Sequence, residues 1–485
     1  MPLTAMNMRM AAAAAISGCL FAKEGVTVLT VAGFVVLEVV VVLTCRRPRD
    51  PSLTVQDRCT MNQERLTKGK QPNGGTIAIV MYFKDLPTVE ATQAAMKKML
   101  ERFPRFSSVV VPSAAVDDAS WRKVEVNMAQ HVVAEPVIYN ADERDRALNE
   151  LIYTDLPRDL PLWRMDILRA HGCQGCVLLR ASHALGDGMR LVAAAAPELL
   201  TFGDGAPATL ELLARMAANK DSAARTPRGV VGTLRDFVEA VTLDKVRDED
   251  PTCFHAPGAL FPREEKRANV TASVALDALI TIKSNSPKGT TLNDVLLTCF
   301  IGGLHKYAAA VGEPLDGSPL VRALCAVSLP TQKGRSPQEM YNDFLLPSIA
   351  LPLGPETRAE RLDAVRGVMS ETKRSRAGFF MAIVLQAVAR LGLDDLIGQT
   401  QLQVFSKHAF VYSNLPGFTK PVFLFGSARV ESFAVYYPNL VSQLLFLSYN
   451  GALTCSLSTD PGTITKPQLL VDLFVDEVIA WQKAC

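Results

Sequence analysis

Hydrophobic and polar positions along the first half of this chain follow the periods of β-strands and α-helices in turn. Residues 76–83 and 176–179 are short apolar runs, which are typical of buried strands. Residues 88–103 carry apolar side chains at helical spacing and end at Pro104, so they predict an amphipathic helix. A glycine-bearing turn separates residues 162–169 from residues 177–181 and predicts that these two strands pair. The other elements predicted in this half are strands at 107–111 and 121–126, a segment at 131–137 and a helix at 141–156.

Residues 201–269 interrupt this alternation with glycine, proline and charged runs that show no sustained apolar period. We interpret them as a crossover between two domains that contains one or two helices. The alternation of strands and helices on either side predicts a mixed α/β fold, with one domain at residues 53–200 and a second at residues 270–485. The second domain is predicted to have strands at 270–274, 322–328, 410–412, 422–425, 441–449 and 452–458, and helices at 277–285, 358–373, 382–392 and 466–483, with a further helix opening at Thr291.

Residues 1–52 differ from the rest of the chain. Residues 26–45 form a twenty-residue apolar run broken only by Glu38, which is long enough to cross a bilayer. Thirteen of these residues are Val, Leu or Phe, and their summed preference for the bilayer exceeds the penalty for one charge. The basic cluster at residues 46–49 predicts that the body of the protein lies on the cytosolic side. We therefore expect a membrane anchor; a signal peptide ending near Ala22, a targeting leader and a buried hydrophobic helix are the alternatives.

Composition excludes several classes of protein. With 485 residues, 48% of them hydrophobic and 21% charged, the chain has ample apolar sequence for a folded core. Its 51 basic and 49 acidic residues give a net charge of +2, so nucleic acid is not an expected partner. The ten cysteines are scattered, and the one C-x-x-C pair, Cys173 and Cys176, lacks the second pair of ligands that a zinc site needs. We expect free thiols and no metal.

The chemistry suggested by the sequence is concentrated in residues 176–191. An apolar run ends in S-H-A-L-G-D-G at residues 182–188, and an Ala- and Leu-rich segment with helical character follows. This arrangement predicts a strand, a tight polar loop that contains His183, and a helix. An imidazole titrates near neutral pH, so a histidine held at the end of a strand can accept the proton of an incoming hydroxyl group. The alternative is that local hydrogen bonds satisfy His183 and that it has no chemical role.

Several motifs along the chain resemble those of the wax ester synthase/diacylglycerol acyltransferases of bacteria and plants. That family has H-H-x-x-x-D-G, which matches His183, Asp187 and Gly188 here, with Ser182 in place of the first histidine. Its P-L-W, N-D and S-N-x-P-G motifs match Pro161-Leu162-Trp163, Asn293-Asp294 and Ser413-Asn414-Leu415-Pro416-Gly417. Weaker matches are L-T-V-Q-D at residues 53–57 and P-R-F at residues 104–106. Each of the three closer motifs also has a purely structural interpretation: a helix N-terminal cap at Asn293-Asp294, a core aromatic at Trp163 and a turn at residues 414–417.

The resemblance implies two chloramphenicol-acetyltransferase-like α/β domains with mixed sheets and an active site in a tunnel between them. It implies that His183 is the general base for direct acyl transfer from acyl-CoA, a co-substrate, to diacylglycerol or a long-chain alcohol, with no acyl-enzyme and no cofactor. Asp187 is then expected to hold the loop through an arginine, and Gly188 to permit a tight turn. The other motif residues expected to line or support the tunnel are Ser182, Pro161, Leu162, Trp163, Asn293, Asp294, Ser413 and Asn414. Asn293 and Asn414 are candidates for the oxyanion donor.

The supply of lipid acceptors favours the membrane of the endoplasmic reticulum as the location, with the catalytic body in the cytosol. Two other functions stay open. One is an acyltransferase of the same superfamily that uses a soluble alcohol or amine. The other is a catalytically inactive relative that binds lipid. The replacement of the first motif histidine by Ser182 is the observation that keeps this alternative open.

Overall fold

The computed structural model describes residues 50–70, 75–209, 230–242, 248–256, 258–260, 268–315, 317–328, 335–336 and 339–485. The strands of these residues are β1 (Thr76–Phe83), β2 (Ser108–Val111), β3 (Ser120–Lys123), β4 (Val132–Ala134), β5 (Trp163–Leu168), β6 (Gly175–Ser182), β7 (Leu200–Phe202), β8 (Ala268–Ala275), β9 (Arg322–Cys325), β10 (Val327–Ser328), β11 (Phe344–Leu345), β12 (Ser348–Ala350), β13 (Phe410–Leu415), β14 (Val422–Leu424), β15 (Ala428–Tyr436), β16 (Ser442–Tyr449) and β17 (Ala452–Thr459).

The helices of the same residues are α1 (Val55–Met61), α2 (Gln63–Leu66), α3 (Val89–Arg102), α4 (Met128–His131), α5 (Ala141–Tyr153), α6 (Gly188–Arg190), α7 (Ala196–Leu199), α8 (Val230–Val241), α9 (Leu276–Ser284), α10 (Leu292–Ala310), α11 (Arg358–Arg374), α12 (Ala377–Leu391), α13 (Asp394–Ser406) and α14 (Pro467–Gln482). Short 3₁₀ turns are formed by Pro104–Ser107, Val116–Asp118 and His183–Leu185. A π-helical segment, Leu191–Ala195, joins α6 to α7.

The first sheet has seven strands in the order β4-β5-β6-β1-β15-β14-β7. All eight residues of β6 are buried, and this strand pairs antiparallel with β5 on one side and with β1 on the other. Helix α3 and the helical segment after residue 188 pack on one face of the sheet, and α5 packs on the other. Because both faces are covered, β6 is apolar on both faces from Cys176 to Leu179, and the buried Arg180 that follows is paired with Asp166 of β5 at 2.9 Å.

The second sheet has six strands in the order β12-β9-β13-β16-β17-β8. Strand β13 lies parallel to β9 and β16, whereas the other pairs are antiparallel. Helices α9, α10 and α14 contribute side chains to the core of this sheet. The first sheet is also mixed, because β4 is parallel to β5. The predicted α/β fold with two mixed sheets is therefore confirmed.

Two strands from the last part of the chain complete the first sheet. Strand β15 pairs antiparallel with β1, and β14 pairs with β7. The prediction that residues 422–425 belong to the second domain's sheet is therefore wrong, and β15 and helices α1, α2 and α13 have no counterpart among the predicted elements. Apolar periodicity indicates that a segment is extended but does not indicate which sheet it joins, since pairing depends on contacts far along the chain.

The crossover returns to the second sheet at Glu249. The side-chain Oε1 of Glu249 accepts hydrogen bonds from the backbone N–H groups of Arg322 and Ala409, the latter at 3.2 Å. Helix α8 lies within the crossover, as predicted. The crossover is thus tied to β9 and to the residue before β13.

The predicted membrane anchor at residues 26–45 lies outside the described residues. Among the residues that the structure does describe, no helix combines the length and the apolar character needed to cross a bilayer.

Candidate active site

His183 follows directly after the last residue of β6. The N–H of Ser182, at the end of that strand, donates to the carbonyl oxygen of Leu162 at 2.8 Å. Its Oγ accepts the N–H of Ala184 at 3.2 Å and so caps the 3₁₀ turn that carries the histidine. The predicted order of strand, polar loop and helix is confirmed. The serine that replaces the first histidine of the motif is buried and stabilises the turn.

A hydrogen bond to Asn342 sets the tautomer of His183. Nδ1 of His183 lies 2.8 Å from Oδ1 of Asn342. The orientation of this amide is fixed because its Nδ2 donates to Oδ1 of Asp57 and to the carbonyl oxygen of His183, both at 2.9 Å, and neither oxygen can donate in return. An oxygen opposite Nδ1 requires a proton on Nδ1. The lone pair of the neutral ring therefore lies on Nε2, where it can accept a proton.

Asp57 is held in turn by Arg105. The guanidinium of Arg105 donates to both carboxylate oxygens of Asp57, at 2.8 and 2.9 Å, in the bidentate arrangement that is strongest for such pairs. It also lies 3.3 Å from the carbonyl oxygens of Ala184 and Leu185, in the turn of His183. The backbone N–H of Asn342 donates to Asp57 at 2.8 Å. These contacts form a hydrogen-bond chain from His183 through Asn342 and Asp57 to Arg105.

The charges in this chain favour a neutral histidine beside an ionised aspartate. Burial raises the pKa of Asp57, but the charge and hydrogen bonds of Arg105, with further bonds from Thr54 and Asn342, bring this pKa below its ordinary value. Burial lowers the pKa of His183, and the charge of Asp187 and the hydrogen bond of Asn342 act in the opposite direction without reversing the shift. A His183 that is neutral near neutral pH is in the state that a general base requires.

Two aromatic rings flank the imidazole. The centroids of Phe344 and Tyr437 lie 5.2 and 5.4 Å from that of His183, each with the ring tilted. Like Asn342, both residues come from the part of the chain after residue 340. The histidine is therefore supplied by the first half of the chain, and these three side chains against its ring are supplied by the second.

Asp187 and Gly188 act in ways that differ from the expectation. The carboxylate of Asp187 accepts hydrogen bonds from two backbone N–H groups, those of Arg190 and Asp343, both at 2.9 Å. These two backbone bonds fix the loop, and among the residues that the structure describes no arginine side chain pairs with this carboxylate as was expected. Gly188 does not have a positive φ. A Cβ at this position would lie 3.3 Å from the side chain of Leu415, so the glycine is explained by close packing and not by a tight turn.

The P-L-W motif is hydrogen-bonded to the residues next to His183 and Arg105. Trp163 is buried, and its Nε1 donates to the carbonyl oxygen of Phe106 at 2.8 Å. Phe106 is adjacent to Arg105, so this bond joins the P-L-W motif to the P-R-F match. The interpretation of Trp163 as a core aromatic is correct, and Leu162 contributes the carbonyl oxygen that binds Ser182.

The N-D and S-N-x-P-G motifs meet at a pair of asparagines. Nδ2 of Asn414 donates to Oδ1 of Asn293 at 2.5 Å. Asp294 forms a capping box with Thr291, which is the N-cap residue of α10, so the capping interpretation holds for Asp294. Ser413 precedes Asn414 on the partly buried end of β13. The two candidates for the oxyanion donor are therefore in direct contact with each other.

The glycine of the S-N-x-P-G motif is required by packing. A Cβ at Gly417 would overlap the backbone carbonyl of Ser448, and the N–H of Gly417 donates to Oγ of the same serine at 3.1 Å. Since Leu415 packs on Gly188, this motif contacts the loop of His183 from the second half of the chain.

Asn342 is the functional residue that the sequence did not indicate. It lies in a Y-N-D-F stretch with no period and no neighbouring motif, and it is fully buried. Asp57 and Arg105 are present in the two weak motif matches, but nothing in the sequence predicts that they contact each other. The only signal in the sequence is a pair of polar residues, Asn342 and Asp343, between two aromatic ones, and this signal is weak.

The arrangement defines a class of protein. A neutral histidine whose lone pair lies on Nε2, in an H-x-x-x-D-G loop at the end of a buried strand, has the protonation state that acyl transfer to a hydroxyl group requires, which is the chemistry of the acyltransferases.

Comparisons with known proteins give the family. The model of the wax ester synthase/diacylglycerol acyltransferase catalytic domain matches residues 78–296, and the model of the family's C-terminal domain matches residues 342–480. The Mycobacterium tuberculosis protein named probable diacylglycerol O-acyltransferase Tgs4 is 26% identical over 392 residues, which cover 74% of this chain and 81% of that protein. Wax ester synthase/diacylglycerol acyltransferase 11 of Arabidopsis thaliana is 22% identical over 462 residues, which cover 85% and 90%.

Solved structures agree on the fold. The wax ester synthase/diacylglycerol acyltransferase of Marinobacter aquaeolei VT8 superposes with a TM-score of 0.58 at 17% identity, over 90% of this chain and 99% of that one. The starter condensation domain of rhizomide synthetase superposes with a TM-score of 0.52 at 13% identity, over 89% of this chain and 93% of that one.

The chain belongs to the wax ester synthase/diacylglycerol acyltransferase family, and it is an acyltransferase.

Proposed function

We propose that this protein transfers a fatty acyl group from acyl-CoA to the hydroxyl group of diacylglycerol or of a long-chain alcohol, and so forms triacylglycerol or wax ester. The observation that carries the proposal is the hydrogen bond of 2.8 Å between Nδ1 of His183 and Oδ1 of Asn342. This bond leaves Nε2 as the proton acceptor of a neutral ring, which is the requirement for general-base catalysis on an alcohol.

The reaction needs one base and no covalent intermediate on the protein. Nε2 of His183 takes the proton of the acceptor hydroxyl as its oxygen attacks the thioester carbonyl. The tetrahedral intermediate then collapses, the carbon–sulfur bond breaks, and the imidazolium returns the proton to the CoA thiolate. All bonds and protons balance without a metal or other cofactor.

The negative oxygen of the tetrahedral intermediate needs a hydrogen-bond donor. We place this role with the pair formed by Asn293 and Asn414. Oδ1 of Asn293 already accepts from Asn414, so the Nδ2 group of Asn293 keeps both of its hydrogens for other acceptors. The amide pair lies on β13 and at the start of α10, and β13 contacts the loop of His183 through Leu415.

Residues 26–45 serve, in this proposal, as an anchor in the endoplasmic reticulum membrane, with the described body in the cytosol. Their composition supports the proposal: a twenty-residue apolar run followed by three arginines within four residues. The anchor keeps the enzyme beside a water-insoluble acceptor and supplies no part of the site.

The direct test is an assay of the purified full chain with labelled acyl-CoA against three acceptors: diacylglycerol, a long-chain alcohol and a short, water-soluble alcohol. We expect product with at least one of the first two. His183→Ala should lower the rate about 10²- to 10⁴-fold while the melting temperature stays close to that of the wild type. Product with the short alcohol alone would favour a soluble acceptor, and no product with any acceptor would favour an inactive lipid-binding relative.

A further inference from the structure

Two aromatic side chains border the open space beside His183. Every residue from 175 to 187 is buried except His183, which is partly exposed. Tyr437 is the partly exposed member of the buried run 433–444, and Phe344, the first residue of β11, is partly exposed as well. Their ring centroids lie 5.4 and 5.2 Å from the centroid of the imidazole. Side chains that contact one another and are each partly exposed border the same opening, so both rings line the space from which a substrate reaches the imidazole.

The backbones that carry the two rings are fixed. Phe344 pairs with Ser328 of β10, and the N–H of the residue before it donates to the carboxylate of Asp187 at 2.9 Å. Tyr437 directly follows β15, whose last residue pairs with β1. Both segments are therefore held by the same sheet and loop that hold His183, and the rings keep their places beside the imidazole when a substrate enters.

The rings occupy the distance from the base at which the carbon atoms of an acceptor must lie. A hydroxyl oxygen that gives its proton to Nε2 of His183 lies about 3 Å from that nitrogen. Each further bond adds about 1.5 Å at most, so the carbon that carries the hydroxyl group and its substituents lie about 4–6 Å from the same nitrogen. Rings in contact with the imidazole fill part of this shell. Each carbon substituent beside the hydroxyl group therefore competes with Phe344 and Tyr437 for space.

The number of these substituents separates two classes of alcohol. In a primary alcohol the carbon that carries the hydroxyl group has one carbon substituent, and in a secondary alcohol it has two. The free hydroxyl group of 1,2-diacylglycerol and that of a fatty alcohol are primary, whereas that of 1,3-diacylglycerol is secondary. An enzyme pocket discriminates between substrates that differ by one carbon group by about 10- to 200-fold.

We propose that Phe344 and Tyr437 restrict the acceptor to primary alcohols, because their rings exclude a second carbon substituent next to the reacting hydroxyl group. This inference rests on the proposed function for the reaction itself and narrows its acceptor class. Fatty alcohols and 1,2-diacylglycerol are accepted, and secondary alcohols and 1,3-diacylglycerol are excluded. The selection is made at the base, by side chains from the second half of the chain, and does not depend on the length of the acceptor.

Pairs of isomers test the selection. The full chain is assayed with labelled acyl-CoA against 1-hexanol and 2-hexanol, and against 1,2- and 1,3-dioctanoylglycerol. We expect kcat/KM for the primary isomer of each pair to exceed that for the secondary isomer about tenfold or more. The measured quantity is the ratio of the two kcat/KM values. This ratio does not depend on the fraction of folded enzyme, because both isomers react at the same His183.

Variants of the two rings test their role. Phe344→Ala and Tyr437→Ala should each raise the ratio of secondary to primary activity about tenfold or more, because each opens the space that the second substituent needs. Phe344→Leu keeps most of the side-chain volume and should give a smaller rise, which also serves as the test if the alanine variant does not fold.

Two controls accompany these variants. Tyr437→Phe removes the hydroxyl group and keeps the ring, and Phe379→Ala removes a phenylalanine ring that is 61% exposed on α12. Both should leave the ratio within about twofold of the wild-type value.

The outcomes distinguish this selection from the reaction itself. Equal use of the two isomers by the wild type, or an unchanged ratio in either alanine variant, would overturn the proposal. So would a rise in Phe379→Ala that equals the rise in Phe344→Ala, because the effect would then not come from the rings beside His183. A wild type that esterifies none of the four acceptors would refute the proposed function together with the selection. A wild type that esterifies the primary isomers while the ratio stays fixed in the ring variants would retain the proposed function and refute the selection alone.

Discussion

Asn342 gives the sharpest test of the site, because its side chain has one function in the structure: it connects His183 to Asp57. Asn342→Ala removes three hydrogen bonds, to Nδ1 of His183 at 2.8 Å and to Asp57 and the His183 carbonyl at 2.9 Å each. The backbone contacts of residue 342 with Asp57 and Thr54 remain. The variant therefore keeps the framework and releases the imidazole.

The size of the effect follows from the buried donor that is left behind. A buried N–H without an acceptor costs about 1–3 kcal/mol, and if this cost falls on the transition state, kcat/KM drops about 5- to 150-fold. The ring can also avoid the cost by moving its proton to Nε2, which removes the base. Both outcomes lower kcat more than they raise KM, since neither changes a contact with the acyl chain.

The pH dependence separates positioning from a general loss of structure. The hydrogen bond that Nδ1 of His183 donates to Asn342 raises the pKa of His183, so its removal in Asn342→Ala should move the acidic limb of the pH–rate profile to lower pH. Asn342→Asp adds an acidic group beside the ring and should move that limb to higher pH. The measurement is kcat/KM at a series of pH values with a short, water-soluble alcohol as the acceptor. A soluble acceptor avoids effects of the membrane on the rate.

Asn149→Ala is the matched control for the loss of a hydrogen-bonded side-chain amide. It removes bonds from the backbone and side chain of Asn269, at 3.0 and 2.9 Å, outside the network of His183. The kcat/KM of Asn149→Ala should stay within about twofold of the wild-type value, because the hydrogen bonds that it removes lie outside the network of His183. Activity of Asn342→Ala within about threefold of wild type, or shifts of the acidic limb in the same direction for the Ala and Asp variants, would refute the tautomer argument.

Three further outcomes are expected. Asp187→Asn loses the acceptor of one backbone N–H and the negative charge that raises the pKa of His183. The rate should therefore fall, and the acidic limb of the pH–rate profile should persist but move to lower pH. If the acidic limb disappears, the titrating group is Asp187. Burial raises the pKa of Glu249 to about 8, so the folded state holds a proton that the unfolded state loses above its ordinary pKa. The free energy of unfolding of the wild type should therefore fall as the pH rises between these two pKa values. Denaturation at pH values from about 5 to about 9 should show Glu249→Gln becoming more stable relative to the wild type as the pH rises. A difference in stability that does not change with pH would contradict this. Deletion of residues 1–48 should preserve activity on a short alcohol and reduce activity on membrane diacylglycerol, because Thr54 and Asp57 of the site are retained; loss of both activities in a folded protein would show that the removed segment contributes to the site.

The sequence by itself determined most of the local structure. Strand β1 has the predicted bounds, and the helices predicted at 88–103 and 277–285 are present as Val89–Arg102 and Leu276–Ser284. It also determined the place of His183, because a buried strand followed by a polar loop and a helix is a local pattern. The motifs at residues 161–163, 182–188, 293–294 and 413–417, which predicted the family, lie within the residues that the two domain models match.

Only the tertiary structure decided which strands share a sheet and what holds the histidine. Strand β15 joins a sheet whose other long strands lie more than two hundred residues earlier in the sequence, and no local period encodes such a pairing. Asn342 and Asp57 lie 285 residues apart and bond directly. Periodicity reports which face of an element is apolar, whereas a buried hydrogen-bond network depends on which polar groups the packing brings together, and that is settled only when the two halves of the chain meet.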